Sequence, residues 1–181
     1  MISFISAYQI RCYFRRIIFI ILLLNWHFSS FAQDCSKLIE SKYDEFTGDT
    51  VKQMKDRIYI SQNNIQKVAL FVAQKIEEDG EKEIVLTINL RDNYCIDNLN
   101  GIILLFEDNT KLKEYNHGGD NCEGFTMLNI GIPNYEDKTI KSYLESKKLK
   151  GLRVYTNNNF VEVFLSVDNQ LKLINSLKCF N

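Results

Sequence analysis

"KVALFVAQKIEEDGEKEIVLTINL" (residues 67–90) decides the fold class. Lys67–Ile76 is a long β-rich run, and "EIVLTINL" (83–90) is crowded with β-branched residues that suit a pleated surface. Between them "EEDGE" (77–81) sets Asp79-Gly80, a pair that tolerates positive φ, where the chain must reverse. Strand, tight turn and returning strand make a β-hairpin.

The same grammar continues on both sides. Downstream, "RDNYCIDNLNG" (91–101) is a polar loop, and "IILLFE" (102–107) returns through Asp108-Asn109 into "TKLKEY" (110–115). "FTMLNIGI" (125–132) follows the next loop. Asp137–Lys148 breaks the pattern, because Ile140, Tyr143 and Leu144 lie at helical spacing and Gly151 follows the last lysines as a helix end would want. "LRVYT" (152–156) and "FVEVFLSV" (160–167) form another hairpin across Asn157–Asn159, with Val161, Val163, Leu165 and Val167 on one face. "DNQLKLINSLKCF" (168–180) predicts a helix capped by Asp168, with Leu171, Ile174 and Leu177 along one side. Upstream, "RIYIS" (57–61) adds a strand. The polar stretch Cys35–Lys55 reads as a lead-in, with a short helix near Ser36–Lys42 and a turn at Phe46-Thr47-Gly48. The predicted class is α+β, mainly antiparallel β: about eight strands in a small sandwich or open barrel with a C-terminal helix.

The first residues predict a compartment. Arg11, Arg15 and Arg16 precede the apolar run Ile17–Leu24, and Ser30-Phe31-Ala32 places small residues at the −3 and −1 positions of a cleavage site. Residues 1–32 are therefore predicted to be a secretory signal, and 33–181 a single exported β-rich domain. The apolar run is shorter than the roughly 20 residues that span a bilayer, so no stable membrane anchor is expected after cleavage. Cys35 follows Gln33-Asp34, whereas lipidation needs a small residue just before the cysteine. The signal carries three Arg and no acidic residue, which leaves 19 basic against 23 acidic residues and a formal charge of −4. An acidic domain without basic runs argues against nucleic acid or an anionic membrane as the main partner.

With Cys12 gone, Cys35, Cys95, Cys122 and Cys179 remain. An even number in an exported chain predicts two disulfides with three connectivities. Cys95–Cys122 with Cys35–Cys179 is preferred, since the first ties two turn regions together and the second joins the ends of the domain. No C-x-x-C occurs.

The densest collection of reactive residue types is "NHGGDNCEG" (116–124). His117, Asp120, Cys122 and Glu123 raise a metal site, and Asp120, Asn121 and Glu123 a weak calcium site. Yet His117 is the only histidine outside the signal, and Cys122 is committed to a bridge. No metal is predicted. The loop reads instead as a glycine-hinged, disulfide-anchored turn whose His117, Asp120, Asn121 and Glu123 form a candidate recognition loop. Nucleophilic triads fail for want of a second histidine, and Gly-x-Ser-x-Gly, G-x-G-x-x-G and Walker A patterns are absent, so no catalytic residue and no cofactor is predicted. Carboxylates in turns (Glu77, Glu78 and Asp79, or Asp92 and Asp97) leave a two-carboxylate hydrolase as an alternative. Aromatics abound: Tyr43, Phe46, Tyr59, Phe71, Tyr94, Phe106, Tyr115, Phe125, Tyr135, Tyr143, Tyr155, Phe160 and Phe164. Exposed Tyr and Trp could stack on sugars or form a protein-binding patch. The only tryptophan, Trp26, lies in the signal, which weakens the carbohydrate version. Most aromatics at strand positions are predicted to be core.

"YDEFTGDT" (43–50), "LLFEDNTKL" (104–112), "NHGGDNC" (116–122), "LKGLRVYT" (149–156) and the closing "SLKCF" resemble small exported proteins of unknown function from Bacteroidota-type bacteria. The resemblance covers most of residues 33–181 and implies a bacterial exported β-rich domain, with no activity attached. The expectation is a non-enzymatic domain, binding or structural, in the periplasm or outside the cell, with a protein or cell-envelope partner. The alternatives are a small carboxylate-dependent hydrolase of envelope polymers or an inhibitor or immunity-type protein.

Overall fold

In the computed structural model, which describes residues 34–62, 65–77, 79–92, 94–131 and 139–180, the quoted hairpin is the spine of the larger of two sheets. The predicted signal segment 1–32, Glu78 and Tyr135 lie outside the described residues. Strand β4 (Ile65–Ile76) pairs along most of its length with β5 (Lys82–Leu90), and Gly80 takes φ +89° in the turn between them. The other edge of β4 is shared. Its C-terminal half pairs with β2 (Thr50–Met54) and its N-terminal half with β3 (Ile58–Gln62), so one antiparallel path is broken at Lys55–Arg57. Met54 turns into the core at that break, and its sulfur accepts from the Val72 N–H at 3.3 Å. β1 (Ile39–Tyr43) and β8 (Phe125–Asn129) complete the sheet at its two edges.

The second sheet runs β10 (Phe160–Phe164), β9 (Leu149–Tyr155), β6 (Gly101–Phe106), β7 (Lys111–Tyr115). Each pairing is antiparallel. Both sheets are open, so the architecture is an α+β sandwich and not a barrel. Side chains alternate across a pleated strand, and the inward set is almost wholly aliphatic. Val68, Leu70, Val72, Leu86, Ile88, Leu90 and Leu128 of the larger sheet meet Ile102, Leu104, Leu152, Val154 and Val163 of the smaller in one core. Helix α1 (Ile140–Ser146) adds Ile140, Tyr143 and Leu144, and α2 (Val167–Leu177) adds Leu173 and Leu177.

Several expectations are corrected. Among the described residues there are ten strands where about eight were expected, because the lead-in is not a helix over Ser36–Lys42: after a 3₁₀ turn at Cys35–Lys37, residues 39–54 form the β1–β2 hairpin. Its turn is held by the Asp44 side chain, which accepts from the N–H of Phe46 at 2.9 Å, and by Gly48 at φ +75°. β1 is an edge strand wetted on both sides, which is why it reads as polar. Gly151 lies within β9 and ends no helix. β10 stops at Phe164, since Ser166 caps α2 by accepting from the Asn169 N–H at 3.3 Å. Ser166 therefore takes the capping place assigned to Asp168, Val167 leaves the strand face, and the buried helix stripe shifts to Gln170, Leu173, Ile174 and Leu177, leaving Leu171 exposed. The largest correction concerns the aromatics. Of those at predicted strand positions, Phe106 is core and Phe71 packs partly buried against it, whereas Tyr59, Tyr115, Phe160 and Phe164 are exposed, as are Tyr43 and Phe46 in the lead-in. They occupy the outward phase of their strands or a turn, and the inward phase belongs to Leu, Ile and Val.

Candidate functional site

Cys35 is bonded to Cys179 and Cys95 to Cys122, the two preferred pairs. Disulfides of this kind belong to an oxidising, non-cytoplasmic compartment. Among the described residues no helix is long and apolar enough to cross a membrane.

The loop 116–124 is built around Asn116, which is buried and whose amide makes five hydrogen bonds. Its Nδ2 donates to the carbonyls of Asp97 (3.3 Å) and Gly119 (2.9 Å). Its Oδ1 accepts from the N–H of Gly118 (2.8 Å), the hydroxyl of Thr126 (2.8 Å) and the N–H of Met127 (3.2 Å). Asn121 repeats the device: its amide donates to the Phe125 carbonyl at 2.8 Å, while its backbone forms a two-way bridge with Ile96. Asp120 accepts from the Asn98 N–H at 2.9 Å. Two of the four candidate recognition residues are thus engaged in holding the backbone, and the Cys95–Cys122 bridge clamps the same pair of loops. His117 and Glu123 are exposed on the rim. Glu114, just before the loop, has its carboxyl pushed up by partial burial, and the nearby His117 pulls it the other way.

The carboxylate sets divide similarly. Asp97 accepts from Leu99 N–H (2.8 Å) and Asn100 Nδ2 (3.0 Å), which shapes its turn. Glu77, Asp79 and Glu81 bring one oxygen each within 4.8 Å of one another in the exposed β4–β5 turn. Lys75 pairs with Glu77 at 3.1 Å, and the Asp79 carboxylate accepts from the Glu81 N–H at 3.0 Å.

The outward face of the four-stranded sheet is different. Strand register arranges it as three rows of four positions. The first row is Tyr115, Gly101, Tyr155, Phe160; the second Lys113, Ile103, Arg153, Glu162; the third Lys111, Leu105, Gly151, Phe164. In two of the rows a glycine stands beside aromatic rings, and the contacts explain why. A β-carbon at Gly151 would stand 2.8 Å from Cδ1 of Phe164 and 2.8 Å from the Val163 carbonyl oxygen. One at Gly101 would meet Tyr155 Cδ2 at 3.7 Å and Lys113 Cε at 3.6 Å. At Gly151 the missing side chain makes room for the Phe164 ring, which is still 53% exposed, whereas at Gly101 a β-carbon would make only ordinary contact.

Arg153 is the hub of the face. Its Nε donates to Glu162 at 2.8 Å with Nη2 on the same oxygen, Nη1 reaches the Tyr155 hydroxyl at 3.3 Å, and the guanidinium lies 4.5 Å from the Phe160 ring centroid. Those partners, Tyr155 first and Glu162 second, raise the guanidinium's affinity for its proton further. Beside it is a shallow cavity of about 190 Å³, bounded by Ile103, Leu105, Lys111, Gly151, Glu162 and Phe164. A bulge at Lys150, where the register slips between Leu105 and Phe106, bends β9 at the end of this cavity. The face carries three cations against one carboxylate, on a domain whose formal charge is −4. None of Lys111, Lys113, Arg153 or Glu162 stands out in the sequence; the readable signal was the alternation of "LKGLRVY" against "FVEVF", with aromatics and charge in one phase.

No protein-family model, curated protein or solved structure matches the chain.

Proposed function

We propose that the protein is a non-enzymatic exported binding domain, and that the outward face of the four-stranded sheet docks an acidic component of the cell envelope. One observation carries this reading: exposed rings and an Arg hub are gathered on one sheet face, while the core is mainly aliphatic. Arg and aromatic side chains dominate binding surfaces because they give large contact area at low conformational cost. Phe164 is seated against Gly151 and the hub is held by Glu162, so less ordering remains for the bound state. Charge supplies the choice of partner. A cationic face on an acidic domain attracts anionic surfaces to that side and repels them elsewhere. Export is the finer expectation from residues 1–32, and the paired cysteines support it.

The test is co-sedimentation of the exported, disulfide-intact protein with washed envelope fragments of a Bacteroidota-type bacterium. Phe160→Ser together with Phe164→Ser is expected to weaken retention at least about tenfold, the loss of roughly 1.4 kcal/mol. Tyr59→Ser, on the larger sheet, leaves retention unchanged. Equal retention of all three proteins overturns the docking face. Release of soluble fragments from the envelope would move the protein to the hydrolase class.

A further inference from the structure

We infer that the cavity over Gly151 is a subsite for one carboxylate-bearing sugar ring of an acidic envelope polysaccharide; this rests on the docking face proposed above and names its ligand. The cavity is too small for a drug-sized ligand, whose pockets begin at roughly 300 Å³. It is the size for one ring or one side chain of a longer polymer. Its apolar part is the Phe164 ring, whose Cδ1 and Cε1 pack against the bare Gly151 position, with Ile103 and Leu105 alongside. A pyranose presents a flat C–H face that stacks on such a ring. The polar part holds both a donor and an acceptor, the Lys111 ammonium and the Glu162 carboxylate. Sugar hydroxyls both donate and accept, so a mixed rim suits them better than it suits a purely acidic side chain.

The ligand's charge follows from Lys111. Arg153 is engaged with Glu162 and Tyr155, and Lys113 lies over the Tyr115 ring at 5.8 Å. Lys111 has no ion-pair or hydrogen-bond partner among the described residues and stands at the cavity edge, across the Leu105 position from Gly151 and Phe164. A carboxylate on the stacked ring would complete it. Phe164 supplies the stacking surface, Lys111 the carboxylate contact and Glu162 a hydroxyl acceptor.

The experiment titrates the exported, ¹⁵N-labelled protein with oligomers of galacturonate, glucuronate and mannuronate, each beside its methyl ester, and with poly-glutamate of matched charge. At least one uronate is expected to shift the amides of Leu105, Lys111, Gly151 and Phe164, and to bind about tenfold more tightly than its ester. Lys111→Met should abolish the acid-over-ester preference while leaving ester binding in place. Phe164→Ser should weaken acid and ester alike. Failure of every uronate to bind, shifts that map elsewhere, or an acid-over-ester preference that survives Lys111→Met overturns the subsite. Equal binding of poly-glutamate also overturns it, while leaving an acidic docking face intact. If no uronate binds yet envelope retention still depends on Phe160 and Phe164, only the sugar assignment fails; if retention is also insensitive to them, both fail.

Discussion

Two regions compete for attention in this molecule, and they reverse each other. The loop 116–124 gathers histidine, acids, amides and a cysteine within nine residues, yet most of its polar atoms are engaged with the protein's own backbone. The outward face of the four-stranded sheet is made of ordinary strand residues, yet it leaves rings, a lysine and a cavity facing solvent. The difference lies in what each side chain is already doing. Asn116 makes five hydrogen bonds and has nothing left to offer a partner. Phe164 packs against the Gly151 position and remains half exposed. Availability marks a binding surface better than reactive residue type does.

The contrast is open to attack at the disulfide. Replacing Cys95 and Cys122 together by Ser should cost about 3.5 kcal/mol, the chain-entropy value for a separation of 27 residues. Denaturant unfolding would measure it. Envelope retention of the still-folded fraction should be unchanged, because the bridge joins two loops and neither cysteine is one of the face residues, although the Cys95 carbonyl accepts from the Asn157 N–H in the β9–β10 turn. Retention that fell with stability in hand would make the loop part of the binding surface.

Asn116→Ala comes next. It strips an acceptor from the Thr126 hydroxyl and from two backbone N–H groups in a buried place. A loss of about 2.5 kcal/mol is expected from unsatisfied buried groups, against less than about 0.5 kcal/mol for the exposed His117→Ala. On the face, one position is structural. Gly151→Ala would force a β-carbon to 2.8 Å from the Val163 carbonyl oxygen, which is backbone and cannot step aside. That clash should cost about 2 kcal/mol and lift the Phe164 ring. A neutral Gly151→Ala would mean the ring does not rest where the geometry places it.

How much of this was legible follows from the same distinction. The β4–β5 hairpin, the turns at Gly80 and Asp108-Asn109, and the helix through Ile140, Tyr143 and Leu144 are local patterns with periods of two or 3.6, and they read directly. The β1–β2 hairpin did not, because an edge strand exposed on both sides carries no alternation. The α2 cap was misplaced by two residues, since Ser166 and Asp168 are equally good caps locally and packing of Leu173 and Leu177 chooses between them. The outward face of the four-stranded sheet was the least legible part. Its rows join residues from strands separated by up to about sixty positions, and only cross-strand register brings Lys111, Gly151 and Phe164 together.

The smallest expected effect sits at the border between the two regions. Glu114 lies in β7, in register with Ile102, on the inward phase of an edge strand. Partial burial raises its carboxyl pKa, and attraction to His117 acts in the opposite sense. The sign of the linkage follows. At low pH the carboxyl is protonated in folded and unfolded chains alike, so burial carries no penalty. As pH rises from the ordinary carboxylate value through the raised one, the unfolded chain releases its proton first and stability falls. Glu114→Gln should therefore raise the midpoint of thermal unfolding slightly at pH 7 and flatten the pH dependence of stability between pH 4 and 6, just above the ordinary glutamate value of about 4.5. His117→Ala acts the other way, removing the attractive charge and letting the Glu114 pKa climb further, which a carboxyl-carbon NMR titration would record. A titration indifferent to His117 would leave that histidine outside the local electrostatics of the strand. A dependent one would give the loop's most reactive-looking side chain a modest structural role, as a counter-charge for a half-buried acid.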